Sequence, residues 1–272
     1  MVFLSLTLLT CALFRRQLNA NNVVLVNLCL SLLLTNLLLM LNQQSSEHLA
    51  CAVVAGFLHF LFLSAFVWML IDAVLLFISV KNLTKIRTNQ KDALNWKTAI
   101  LIGYLCPLIV VGVSDAAVHN GYNNTVCWLK ENTSFSWSFY GPVYFILALN
   151  IILFVAIFII IAFTLKNLNS DILQRRQTLA DKKLIISILL KTMARFFTLG
   201  CPWMVGLIVI KTVDYNSVVI LISLQGVFVF FIHCVLNQEV MQQCWRWILT
   251  LIFCKTPVNN ILTMTASHTQ TT

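Results

Sequence analysis

Apolar side chains run along this chain in long blocks, without the alternation of a half-buried strand or the one-sided stripe of a surface helix. Seven blocks stand out, at roughly 2–14, 23–41, 52–80, 98–118, 138–165, 184–210 and 217–236. A helix that is apolar all round is buried in protein or in lipid. A bilayer core about 30 Å thick takes roughly 20 such residues. The pattern predicts seven membrane-spanning helices over residues 1–237. The third, fifth and sixth blocks are long enough to tilt or to project beyond the bilayer. The first is short, since about 13 residues reach only about 20 Å at a rise of 1.5 Å each. Arg15 and Arg16 follow that block instead of preceding it, and no small-residue cleavage site is visible. It therefore reads as the inner part of a membrane helix, not as a signal peptide.

After Asn237 the periodicity changes. Met241, Cys244, Trp245, Ile248 and Ile252 share one helical face, with Glu239, Gln242, Gln243, Arg246 and Thr250 opposite. That predicts an amphipathic helix over 238–254 in the inner membrane interface, anchored by Trp245 and Trp247. Residues 255–272 are polar and read as a disordered cytoplasmic tail. The expected fold class is an all-α membrane protein, a seven-helix bundle with a short amphipathic eighth helix.

Composition supports this reading. The 272 residues are 60% hydrophobic and 10% charged, with mean hydropathy +0.89. Soluble domains run at about 45–50% apolar and about 25% charged. A soluble enzyme, a disordered protein and a nucleic-acid binder are all excluded, and no segment remains for a separate soluble domain. The net charge of +9 matters through its distribution. Arg15 and Arg16; Lys81, Lys85, Arg87, Lys91 and Lys97; Lys166, Arg175, Arg176, Lys182 and Lys183; and Arg246 and Lys255 all fall on one side of the predicted topology. Only Lys130 and Lys211 fall on the other, and Lys191 and Arg195 lie inside the sixth block. Basic connections stay in the cytoplasm, so the C-terminus is expected inside and the N-terminus outside. Two glycosylation acceptors, Asn123-Asn124-Thr125 and Asn132-Thr133-Ser134, lie in the fourth-to-fifth connection, which the same rule places outside. Asn82-Leu83-Thr84 falls inside and is expected to stay unmodified.

With the spans laid out, a family resemblance emerges. Phe66-Val67-Trp68-Met69-Leu70-Ile71-Asp72 resembles the Phe-x-Trp-Met-x-x-Glu signature in the third helix of adhesion G-protein-coupled receptors, of the secretin-like superfamily. Cys127-Trp128 resembles their Cys-Trp pair in the second outer loop. Trp137-Ser138-Phe139-Tyr140-Gly141-Pro142-Val143, with Asn150 further on, resembles the start of their fifth helix. Leu199-Gly200-Cys201-Pro202-Trp203 resembles the sixth-helix Leu-Gly-x-x-Trp. Ser223-Leu224-Gln225-Gly226-Val227-Phe228-Val229-Phe230 resembles the seventh-helix Ser-Leu-Gln-Gly-x-Phe-x-Phe. The similarity covers about 4–250 in order and is strongest to the leukocyte branch that bears EGF modules.

The resemblance implies roles for these residues. Phe66, Met69 and Trp203 would form the core that senses agonist, covered by Trp128, with Trp203 as the sixth-helix toggle. The residues alone allow a plainer reading, in which Gly200 and Pro202 weaken the helix and Trp203 is a buried ring beside a kink. Gly226 lets helices approach, and Gln225 carries an amide that needs a partner in hydrocarbon. Asp72 stands where the family has Glu, near the lock that holds the inactive state. Leu75 and Phe77 replace the His and Tyr common nearby, which puts conventional control of coupling in doubt. Asp72 as a neutral acid or an ion-pair partner remains open. Lys191 and Arg195 share a face, either toward the cavity that admits a G protein or snorkelling to inner headgroups. Cys51 and Cys127 both sit on the oxidising side. They are a disulfide or two free thiols, and seven-helix receptors commonly have the bridge.

The remaining chemistry is sparse. Cys11, Cys29, Cys106, Cys201 and Cys234 read as small apolar core residues. Cys244 and Cys254 are candidates for palmitoylation. His59 and His233 read as hydrogen-bonded packing residues, and no spacing fits a metal or cofactor. A transporter would show internal repeats. An intramembrane enzyme would need paired aspartates, a Ser/His pair or a zinc helix. The chain has none of these. Expected partners are membrane lipid, a heterotrimeric G protein and a peptide or other agonist at the plasma membrane. Adhesion receptors usually carry a self-cleaving ectodomain whose last stretch is the tethered agonist. Nothing before Val2 could serve, so no autoproteolysis is expected, and a non-signalling receptor fragment acting as decoy or partner is the alternative.

Overall fold

A computed structural model of the chain describes residues 1–14, 20–42, 48–84, 95–118, 121–123, 127–129, 133–170, 192, 224–231 and 246. The first five predicted blocks are all helical. They are α1 (Val2–Phe14), α2 (Ala20–Asn42), α3 (His48–Thr84), α4 (Trp96–Ala117) and α5 (Trp137–Ser170). Four of these, all but α1, are long and apolar enough to cross a membrane. Each runs a few residues past or short of its apolar block, because intrahelical hydrogen bonding continues through polar ends such as Asn21, Asn22 and Asn42. Asn95 caps α4, its side chain accepting from the Lys97 backbone N–H. Most of the sixth block, the amphipathic segment 238–254 and the tail lie outside the described residues. Arg246 alone represents that segment, and it is helical and exposed. From the seventh block, 224–230 are helical.

The hairpin between α4 and α5 was not foreseeable from the apolar pattern. β1 (Tyr122–Asn123) pairs antiparallel with β2 (Trp128–Leu129), with Tyr122 opposite Leu129 and Asn123 opposite Trp128. A 3-10 turn at Ser134–Ser136 then leads into α5. The hairpin marks one end of the bundle, because Cys51 at the head of α3 is joined to Cys127. α4 feeds into the hairpin from its C-terminal end, so Trp96 and Lys97 lie at the other end. Lys81 late in α3 lies there as well.

α3 is the central post. Over half of the α2 and α3 spans is buried, against about a fifth of α4 and α5. Trp68, Phe62, Phe66, Leu58, Leu63 and Met69 on α3 are all sealed from the surface. In lipid there is no hydrophobic force between helices, so van der Waals fit and interhelical hydrogen bonds hold the bundle. The buried residues of α4 are Ala99, Gly103 and Pro107, each four apart. That small-residue stripe lets α3 come close. A methyl group placed on Gly103 would run into the Trp68 indole. α2 reaches α4 through a hydrogen bond from the Tyr104 hydroxyl to Asn27 Oδ1 at 2.7 Å. α1 meets the helical residues 224–230 where Leu4 covers Gly226 and Phe3 faces Phe230 at 5.4 Å between centroids.

One expectation is corrected here. Cys11 and Cys29 are buried, but Cys106 is exposed. It falls off the 99–103–107 stripe by one residue, on the side of α4 that faces away from α3. Cys201 and Cys234 lie outside the described residues.

Gly103→Ala is expected to lower thermal stability in detergent or nanodiscs by about 1–3 kcal/mol through overpacking. Gly112→Ala, at a position with open space around it, should be neutral or slightly stabilising. A scanning thermal-shift assay on both variants checks this, and equal behaviour of the two would contradict the packing account.

Candidate functional site: an aromatic ladder under a tethered hairpin

His59, Phe62, Phe66, Met69 and Asp72 recur along α3 at spacings of three and four, so one helical face carries them all. All five are buried. The disulfide sits above this face. Cys51 and Cys127 approach to 4.7 Å between Cα atoms, closing a loop of 76 residues. In the chain-entropy account a closure of that size is worth about 4–5 kcal/mol. Cys127 takes a left-handed backbone, with φ 43°. That conformation is unfavourable for a residue with a Cβ and is retained where the tether and β2 meet. The bridge pins the hairpin onto the head of α3.

The hairpin's side chains reach down into the bundle. Trp128 stands edge-on to Phe62 and to Phe139, each at 5.4 Å between centroids. Phe139 in turn meets Phe62 at 6.0 Å, His59 at 5.9 Å and Phe66 at 6.4 Å. Every one of these contacts is edge-to-face, the arrangement favoured by the ring quadrupoles. Phe139 of α5 is thus the hub that joins the lid to α3. Phe135 packs edge-on to Tyr122 at 5.0 Å and to His59 at 6.3 Å. Gly121 makes this possible, because a Cβ there would sit 2.6 Å from the Phe135 ring.

Beneath Phe66 the ladder turns polar. Gln225 is fully buried, and its Nε2 donates to Met69 Sδ at 3.7 Å. The amide that the sequence required to find a partner has one on α3. Gly226 beside it is where Leu4 of α1 packs, consistent with close helix approach. Asp72 lies three residues below Met69 and is buried, and Leu75 one turn further is buried too. The structure therefore brings Phe66, Met69, Trp128, Gln225 and Gly226 into one region, with Asp72 below it. Trp203, Lys191, Arg195 and Asn132 lie outside the described residues. Asn123 is in β1, on the lid. Asp115 is exposed, near the hairpin end of α4.

Four contributors escaped the sequence reading: Phe62, Tyr122, Phe135 and Phe139 as the hub. Phe62 was open to discovery, since it sits four residues before Phe66. Phe139 lies inside the quoted motif but carries no sign of its partners. Tyr122 and Phe135 sit in short irregular segments where spacing has no meaning.

Tyr122 is half-buried, and its hydroxyl lies 3.5 Å from His59 Nδ1. Burial first, and the Asp115 carboxylate second, push its phenol from 10.0 up to about 12. In the unfolded chain Tyr122 loses its proton earlier than in the docked hairpin. Its contribution is therefore fully present below pH 10 and is lost as pH rises toward about 12. Asp115→Asn is expected to move the phenol part of the way back toward 10, and Tyr122→Phe to remove this alkaline transition. Ultraviolet titration of tyrosinate, with the Tyr122→Phe difference as the assignment, measures both. An unshifted phenol in Asp115→Asn would remove the carboxylate from the account.

A family model described as "7 transmembrane receptor (Secretin family)" matches residues 1–229. The chain is 35% identical over 253 residues to adhesion G protein-coupled receptor E1 of Homo sapiens, covering 91% of this chain and 28% of that protein. It is 36% identical over 256 residues to adhesion G protein-coupled receptor E2 of Rattus norvegicus, covering 92% and 26%. It is 34% identical over 248 residues to adhesion G protein-coupled receptor E3 of Homo sapiens, covering 89% and 36%. The chain spans roughly a quarter to a third of the length of these relatives. Apolar helices of spanning length, the hairpin tethered to the head of α3 and a match over most of the sequence agree that the chain belongs to the secretin family of seven-transmembrane receptors, with adhesion receptors of the E group among its relatives.

Proposed function

We propose that the chain is the membrane region of a plasma-membrane receptor that passes an extracellular or peptide-agonist signal to a heterotrimeric G protein. The reading includes seven spans, an outer N-terminus and a cytoplasmic C-terminus. The observation that carries it is the unbroken path from lid to seventh block: Cys127 and Trp128, Phe139, Phe66, Met69 and Gln225. A ligand that displaces Trp128 disturbs α3, α5 and residue 225 together. Trp203 completes the same core from the sixth helix, and its displacement swings that helix outward. Lys191 and Arg195 line the cavity that then opens, with Asp72 holding the resting state. Agonist and G protein each favour the open state, so each strengthens binding of the other.

A second reading, a non-signalling partner of longer receptors, draws on Leu75 and Phe77. Both are apolar where a polar lock would need donors, and both belong to apolar packing around α3.

Two experiments test the proposal. A synthetic tethered-agonist peptide should stimulate nucleotide exchange on at least one G protein at confirmed surface expression. Phe66→Ala and Trp203→Ala should each weaken that response by about 5- to 150-fold, the usual range of coupling energies. Silence across all G-protein families would hand the case to the second reading. For topology, Asn123→Gln and Asn132→Gln should each remove one glycosidase-sensitive mobility step, and Asn82→Gln should remove none. A glycan on Asn82 would invert the chain.

A further inference from the structure

His59 is sealed inside the bundle at 0% exposure, and it is the α3 side chain that the first strand of the hairpin meets. The Tyr122 hydroxyl lies 3.5 Å from its Nδ1. A Cβ on Gly56, three residues earlier on the same face of α3, would stand 3.7 Å from that hydroxyl. The phenol is thus seated between Gly56 and His59. Phe135 and Phe139 press edge-on against the imidazole at 6.3 and 5.9 Å, and the Ser138 backbone lies beside it. One side chain of α3 therefore meets β1, the 3-10 turn and α5.

The hairpin is held to α3 at two points. β2 is held covalently, where Cys127 joins Cys51. β1 is held through Tyr122. Residues 51 and 59 are about 12 Å apart along the helix axis at 1.5 Å each. One attachment leaves a hairpin able to tilt about it, and a second at that offset fixes the tilt. Tyr122 pairs with Leu129 and Asn123 with Trp128 across the strands. Lifting β1 therefore carries Trp128 away from Phe62 and Phe139. The two holds differ in strength. A hydroxyl hydrogen bond usually closes to about 2.7–2.8 Å, so the phenol's donation to Nδ1 at 3.5 Å is long. It orients the hairpin and is released at small cost, whereas the disulfide is not released without a reductant.

We propose that His59 is a positioning residue that latches the lid. With the disulfide as hinge, the Tyr122–His59 bond holds Trp128 down over the aromatic core, and its release admits the agonist. The admission of agonist rests on the receptor function proposed above; the latch itself does not.

The test uses the full chain in lipid nanodiscs. Cys51 and Cys127 are 1% and 3% exposed, so a water-soluble phosphine reaches their bond only when the hairpin lifts. Mass spectrometry of thiol-labelled Cys127 reads the rate of reduction. Tyr122→Phe removes one oxygen and keeps the ring. It should speed reduction by about 2- to 12-fold, the range that one net hydrogen bond supports. His59→Leu should do the same, while His59→Asn, similar in size but carrying an acceptor, should stay closer to the unaltered chain. Tyr122→Phe combined with His59→Leu should be no faster than the faster single variant, because both break one bond. An unchanged rate in Tyr122→Phe overturns the latch. So do equal rates in the Leu and Asn variants, or single effects that multiply in the combination. In a chain that responds to the agonist peptide, Tyr122→Phe should lower the half-maximal concentration by a similar factor at an unchanged maximal response. A half-maximal concentration that holds or rises overturns the gating role. Silence of the unaltered chain overturns the receptor reading instead, and the reduction rates still decide the latch.

Discussion

The contact between the Trp68 indole and the α4 backbone at Gly103 governs how the rest of the bundle is placed. In lipid, apolar area gives helices no reason to prefer each other over acyl chains, so shape decides. A large flat ring on α3 needs a partner with no side chain, and the Ala99–Gly103–Pro107 stripe provides it. That contact sets the depth of α4 against α3 and brings Tyr104 edge-on to Trp68, at 5.3 Å between centroids. Tyr104 then reaches Asn27 on α2. Two helices, α2 and α4, are thereby locked on one side of α3, and the opposite aromatic face is left to α5 and the hairpin.

The division of α3 into two working faces explains the unusual density of buried large residues along it. One face is for assembly, through Ser64 and Trp68. The other holds His59, Phe62, Phe66, Met69 and Asp72 and faces the lid, α5 and residue 225. With both faces engaged, α3 keeps few exposed apolar positions, among them Val53 and Phe57 near its head.

The five helices within the described residues were legible because each apolar block exceeds or approaches the length a bilayer demands, and length alone carries that signal. The facing of side chains was not legible in the same way. Cys106 was expected inside, and the structure turns it outward. In a membrane helix both lipid and protein contacts are apolar, so hydrophobicity does not separate them; the four-residue spacing of Ala99, Gly103 and Pro107 does. The pairing of Cys51 with Cys127 was readable from sidedness and family resemblance. The Gln225–Met69 bond was half readable: an amide in hydrocarbon announces its need but not its acceptor. The hairpin left no trace, since two-residue strands carry no periodicity.

The contact of α1 with the helical residues 224–230 has a mechanical consequence. Leu4 rests on Gly226, and Phe3 leans on Phe230. Gln225, the neighbour of that contact, is the residue bonded to Met69. A pull or a twist on the first helix is therefore delivered to the middle of α3 through Gly226 and Gln225 as well as through its packing on α2. In the receptor proposed above, traction on α1 would act on the same core that a molecule beneath Trp128 would reach.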